Sequence, residues 1–228
     1  MQLWIGNKNY SSWSMRPWVL LRHFGLPFEE VMLRFDSFEA DSRFKTALAP
    51  LAPTGKVPLL VDGDLVVWDT LAIAETLAER HPELPMWPAA PHERARARSL
   101  CAEMHAGFTA LRSHCPQNLE AQLPEVGRKV WAEQAGVRAD VARLEAMWSE
   151  ALARSGGPFL FGEFGIVDAY YAPVVGRLQT YALPVTAGTR AYMDRVLASP
   201  GVAAFVAEAC AEHDFLDFEE PYRTAPAA

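Results

Sequence analysis

The chain has 228 residues, half of them hydrophobic, and a formal net charge of −7 from 28 Asp plus Glu against 21 Lys plus Arg. Seven Trp, six Tyr and twelve Phe supply too much packable surface for a disordered chain, and the acidic balance lacks the cationic footprint that draws nucleic acid. Cys101, Cys115 and Cys210 are odd in number and lack ligand spacing, which predicts neither a disulfide framework nor a metal site. No run approaches the ~18 apolar residues of a membrane span, and no signal peptide opens the chain, so a cytoplasmic protein is expected.

Leu3-Trp4-Ile5, stopped by Gly6 and Asn7-Lys8-Asn9, reads as a buried strand and its loop. Trp18, Leu21 and Phe24 recur at three-residue spacing and predict a helix over 15–24, with Pro17 in its first turn and Gly25-Leu26-Pro27 as its stop. Residues 28–34 read as a second strand, and 57–60 with 65–68 as a hairpin about Asp62-Gly63. The stretch 70–80 is a helix with Leu71, Ala74, Leu77 and Ala78 inward. A helix crossing between the first two strands makes them parallel. Three prolines in 82–88 mark a connection, after which helical patterns cover 94–111, 130–154, 166–181, 188–198 and 200–212. The expected architecture is an α/β unit over 1–82, a linker over 83–91 and an all-α unit over 92–228.

Three short segments carry candidate chemistry. Tyr10-Ser11-Ser12-Trp13-Ser14-Met15-Arg16 joins the first strand to the first helix. Hydroxyls there serve as an ordinary helix cap or, with the unpaired N–H groups of a helix start, as an anion site. In Lys56-Val57-Pro58 the proline marks a strand edge, or a cis bond that turns the Val57 backbone toward a ligand. Asp69-Thr70 stands where a strand end meets a helix start; either residue can cap the helix, or the two can grip the head of an α-amino acid. His23 and His105 fall on helical segments, where a packed or exposed histidine is the commoner reading.

In this order the segments resemble the cytosolic glutathione transferase superfamily, serine-type and closest to zeta-like bacterial members, whose corresponding run is Ser-Ser-Cys-Ser-x-Arg; Trp13 stands where that class has Cys. The resemblance implies a thioredoxin-like N-terminal domain followed by an all-α domain, a detoxifying role, glutathione as co-substrate with no metal, and a homodimer. It places Ser11 and Ser12 at the glutathione sulfur, Val57 and the cis-proline Pro58 at the cysteinyl part, Lys56 near the glycyl carboxylate, and Asp69 and Thr70 at the γ-glutamyl end. It implies a transferase acting on a small electrophile; the alternatives are a maleylacetoacetate-type isomerase and a non-catalytic glutathione-binding or interaction protein of the same fold. Tyr10 competes with Ser11 for the sulfur, because some classes use a tyrosine here; the residue reading favours a core aromatic. The family's helix start of the form Gly-Asp-x-x-Ser/Thr-x-Ala-Asp is one residue short between Gly162 and Asp168, with Gly165 as the cap, and reads as a folding element.

The electrophile's pocket is expected to draw on 102–108 and 170–174 of the helical part. Charge has an address as well: residues from Glu208 onward hold six acids and Arg223, which makes most of the −7 a C-terminal feature that is expected to lie away from the site.

Overall fold

β1 (Gln2–Ile5) alternates, with Leu3 and Ile5 fully buried, and forms the inner strand against which the rest of the sheet assembles. The computed structural model describes residues 1–225. β2 (Glu29–Met32) lies parallel to β1 in the register Leu3 to Glu30, while β3 (Leu59–Asp62) lies antiparallel on its other side and pairs with β4 (Leu65–Val67). The four-strand order is β2-β1-β3-β4. The parallel pair needs a crossover, which α1 (Ser12–His23) supplies. α3 (Thr70–Arg80) follows the hairpin, whose turn is opened by Gly63 at φ +61°. Thioredoxin-like order and an all-helical continuation are therefore both present, as the sequence leads one to expect.

α1 begins at Ser12, three residues before its apolar spacing starts, because Ser11 provides the cap. Pro17 consequently sits in the second turn and not the first. There it has no N–H to donate to the Trp13 carbonyl, one turn earlier. α1 is buried from Ser14 through Leu21, because α3 packs on one flank and α8 (Ile166–Thr180) and α10 (Pro200–Glu212) on the other. Gly201 permits that approach: a Cβ there would stand 2.4 Å from the Val19 carbonyl oxygen of α1.

A short helix, α2 (Arg43–Leu48), escapes the sequence pattern. It has only Phe44 and Leu48 to bury, and they join Tyr10, Phe35, Ala52 and Leu59 in a small core separate from the main one. The helical half is also more divided than its periodicity suggests. α4 (Pro91–Ala106) and α5 (Thr109–His114) replace one expected helix, broken where Phe108 adopts φ +54°. α6 (Pro124–Glu133) and α7 (Ala135–Ser155) meet at Gln134, and α9 (Ala187–Ala198) precedes α10. The chain then folds back through a 3-10 turn at Asp217–Glu219.

The cap of α8 explains its unusual glycine. Asp168 is fully buried and accepts hydrogen bonds from Gly165 N (3.1 Å), Leu160 N (3.2 Å) and Tyr192 Oη (2.9 Å). Burial pushes its carboxyl up to about 6, while these bonds favour the anion, which remains the dominant form at neutral pH. The linker presses on this cap, with Ile166 N donating to Met86 O at 3.0 Å, and a Cβ on residue 165 would meet that same oxygen at 2.8 Å. Serine is the better cap by a few tenths of a kcal/mol, yet here it meets backbone. Gly165→Ser is therefore expected to lower stability by about 1–3 kcal/mol in urea unfolding, and an equally or more stable variant would disprove this account.

Candidate functional site

The serine run divides its labour once folded. Ser11 is buried; its Oγ donates to Ser14 Oγ at 2.7 Å and accepts from Ser14 N at 3.4 Å, and Ser14 Oγ in turn accepts from Gly6 N at 3.2 Å. That hydroxyl is engaged in capping α1. Ser12, the first helical residue, instead lines a cavity of about 390 Å³, where its Oγ accepts from Arg177 Nη2 at 3.4 Å. Tyr10 Oη lies 2.7 Å from Glu220 Oε1 and 2.9 Å from the Asp214 carbonyl, so its proton is committed to the C-terminal tail; burial and the neighbouring carboxylate push its phenol up.

Lys56, Val57, Pro58, Asp69 and Thr70 all line one further cavity, of about 330 Å³, together with Thr54, Trp68 and His105. The Val57–Pro58 bond is cis, and Val57 makes no backbone–backbone hydrogen bond among the described residues. Asp69 caps α3 through Oδ1, which accepts from Leu71 N at 2.9 Å, while Oδ2 lies 3.5 Å from His105 Nε2. Thr70 is buried, and its hydroxyl donates to the Trp13 carbonyl at 3.3 Å. This is the carbonyl that Pro17 leaves free, so an interruption within α1 binds the start of α3.

Trp13 and Arg112 line both cavities and form the partition between them. The Trp13 indole is held by His105 (centroids 4.9 Å apart) and by the Arg16 guanidinium 4.2 Å from its ring. Arg16 is buried, donates from Nε to Tyr170 O (2.9 Å) and from Nη1 to Ser12 O (3.0 Å), and desolvation lowers its pKa to about 9, which leaves it cationic at neutral pH. Arg16 thus ties the start of α1 to α8 through two backbone carbonyls.

One expectation finds a mixed placement, and one needs correction. The cavity beside Ser12 draws on Thr109, Arg112, Ser113, Pro116, Gln117 and Arg177, outside both 102–108 and 170–174, while His105, within 102–108, lines the neighbouring cavity. The acidic tail does not lie apart from the site. Glu212 accepts from Lys8 N, Asp214 from Asn7 Nδ2 and Glu220 from Tyr10 and Asn118, and Glu219 lines the Ser12 cavity. His105, Arg112, Arg177 and Glu219 carried no local sequence signal; each enters by the folding of a distant segment onto α1. Among the described residues no cysteine lines either cavity, and burial pushes the Cys101 thiol well up and that of Cys115 up to about 12.

The Pro17–Trp13–Thr70 relation has a measurable signature. Thr70→Val is expected to cost about 1 kcal/mol in urea unfolding, and less in a Pro17→Ala background, where the N–H restored at position 17 serves the same carbonyl. Additivity of the two changes would refute the link.

The glutathione S-transferase N-terminal domain family matches residues 10–80 and the glutathione S-transferase C-terminal domain family matches residues 130–208. A stringent starvation protein A homolog of Histophilus somni is 27% identical over 182 residues, 78% of this chain and 77% of the relative. Glutathione S-transferase Z1 of Arabidopsis thaliana is 39% identical over 95 residues, 39% of this chain and 40% of that protein. A glutathione transferase homolog from Burkholderia, solved with bound glutathione, superposes with a TM-score of 0.67 at 23% identity, covering 91% of this chain and 96% of its own. Both halves of the chain, and the fold that joins them, make it a member of the glutathione S-transferase superfamily.

Proposed function

We propose that the protein is a glutathione transferase that activates the glutathione thiol for attack on a small electrophile. The observation that carries this reading is the convergence of Lys56, Val57, Pro58, Asp69 and Thr70 on one cavity that meets, across Trp13, a second cavity bearing Ser12 at the N-terminus of α1. The residues suit the tripeptide: Lys56 offers a cation to the glycyl carboxylate, Val57 offers backbone groups to the cysteinyl part, and the start of α3 offers N–H groups to the γ-glutamyl carboxylate. While Oδ1 caps the helix, Asp69 Oδ2, which lies 3.5 Å from His105 Nε2, supplies the negative charge for the γ-glutamyl ammonium.

Ser12 is the better candidate for the sulfur, since the hydroxyl of Ser11 is already held by Ser14. A free thiol titrates near pH 8.5, and lowering that to about 6.5 requires roughly 2.7 kcal/mol of preference for the anion. A hydroxyl hydrogen bond to the thiolate and the dipole of α1 each supply about 1–2 kcal/mol. The proton passes to solvent, the sulfur forms a bond to the electrophilic carbon, and the leaving group departs with its electron pair. An isomerase of the maleylacetoacetate type would use the same thiolate. A second reading, a non-catalytic glutathione-binding or interaction protein of the same fold, is supported by relatives named as stringent starvation protein A homologs and not as transferases. A homodimer in the cytoplasm completes the proposal, the former checked by sedimentation.

Ser12→Ala is expected to raise the pKa of the bound thiol by about one unit and to slow conjugation about tenfold below pH 7, with less effect well above the thiol pKa, where the anion forms unaided. Ser11→Ala is expected to cost about 1 kcal/mol of stability through its cap, with a smaller change in thiol pKa. Thiol absorbance and rate–pH profiles check both. If glutathione binds without turnover across electrophiles and peroxides, the non-catalytic reading replaces the enzyme.

A further inference from the structure

The Asp69 carboxylate faces two ways. Oδ1 accepts from Leu71 N at 2.9 Å, while Oδ2, free of the cap, lies 3.5 Å from His105 Nε2. Among the described residues that line this cavity, Asp69 alone carries a carboxylate. His105 reaches it from α4, and its ring is held from several sides. The Tyr170 hydroxyl of α8 is 3.4 Å from Nδ1, the Trp13 ring centroid is 4.9 Å away, and the His105 carbonyl accepts from Arg112 Nη1 at 3.3 Å. The two side chains are 40% and 49% exposed, so protons and a ligand reach the pair.

Histidine is the side chain that ordinarily changes charge between pH 5 and 8. The geometry around His105 accommodates either charge state without moving the ring. When the ring is neutral, the Tyr170 hydroxyl donates to Nδ1 and the Nε2 proton faces Asp69. When it is cationic, Nδ1–H donates to the same hydroxyl oxygen and Nε2–H faces Asp69 as before. Burial pushes the Tyr170 phenol up, so its proton is present in both cases. The other charged groups near the ring are Arg112 of α5 and Arg16 of α1, 5.3 and 4.2 Å from the Trp13 ring centroid, with Lys56 across the cavity. All three are cations, so Asp69 is the anion whose balance the His105 charge decides.

We infer that His105 is a positioning residue for the amino end of glutathione, acting through Asp69. A neutral His105 holds Oδ2 in place for the γ-glutamyl ammonium. A protonated one offsets the carboxylate, competes with the ammonium and attracts the adjacent γ-glutamyl carboxylate instead. Selectivity for an amino-bearing head over a plain glutaryl head therefore falls with pH, while binding itself persists. The inference rests on the reading of this cavity as the glutathione site and needs no turnover.

The test titrates the full-length protein calorimetrically with S-methylglutathione and with its deamino analogue, glutaryl-S-methylcysteinylglycine. The S-methyl group removes the thiol's own titration from the comparison. The ratio of the two Kd values is expected to favour the amino compound at least about tenfold at pH 7.5 and about threefold at pH 5.5. His105→Gln is expected to hold one ratio at both pH values, and His105→Lys, a fixed cation, to give the lower ratio at both. A wild-type ratio that does not change with pH, or one that changes equally in His105→Gln, overturns the role of His105 while the glutathione site stands. A ratio near one at pH 7.5 overturns it too, because Asp69 then does not select the ammonium. If neither compound binds, the inference and the glutathione reading fail together.

Discussion

One unmade hydrogen bond organises this molecule. Pro17 lies inside α1 and cannot donate to the Trp13 carbonyl; the hydroxyl of Thr70 takes that acceptor at 3.3 Å. An acceptor that a helix would normally satisfy internally is thereby turned outward and used to hold a second helix start. The consequence reaches both cavities, because Trp13 is their shared wall and Thr70 belongs to one of them. α1 itself is clasped by α3, α8 and α10, so its N-terminus is fixed by packing from both halves of the chain. A hydroxyl placed there is held in position before any ligand arrives, as selective stabilisation of a developing charge requires.

The electrostatics around this point run against the charge of the chain as a whole. Arg16, Arg112 and Arg177 converge on Trp13 and Ser12, two of them buried, while their nearest polar partners are largely carbonyls. The acidic tail returns to the same region, and most of its carboxylates are taken up by the loop after β1. Lys8, Asn7, Asn9 and Tyr10 all meet tail or α10 acids. Among the described residues of the tail, Glu219 is the acid that lines the Ser12 cavity. Net charge thus describes the surface of this protein poorly at the place where local charge matters, because paired acids cancel and unpaired buried arginines do not.

Much of the fold was legible because local signals agreed. The apolar run Leu3-Trp4-Ile5, the Gly63 turn and the 70–80 periodicity each match an observed element, as do 166–181, 188–198 and 200–212 within a residue or two. The elements that were misread had weak or compound signals. α2 buries only two residues, and the apolar stripes of α4 with α5, and of α6 with α7, continue across breaks set by backbone conformation at Phe108 and Gln134. The start of α1 was hidden because its cap and first turn are Ser11, Ser12, Trp13 and Ser14, which lack an apolar repeat.

The sequence by itself determined the α/β-then-helical architecture, the parallel crossover and the three segments that carry the candidate glutathione contacts, since each depends on neighbours close along the chain. Tertiary structure decided which of two adjacent serines faces a cavity: Ser11 is spent on a cap, and Ser12 meets Arg177, 165 residues away. It also decided the partners of His105, the freedom of Arg177 and the return of the tail to Tyr10. Those depend on where distant backbones come to rest, which local periodicity does not encode, and on burial, which sets how strongly an arginine's charge is felt.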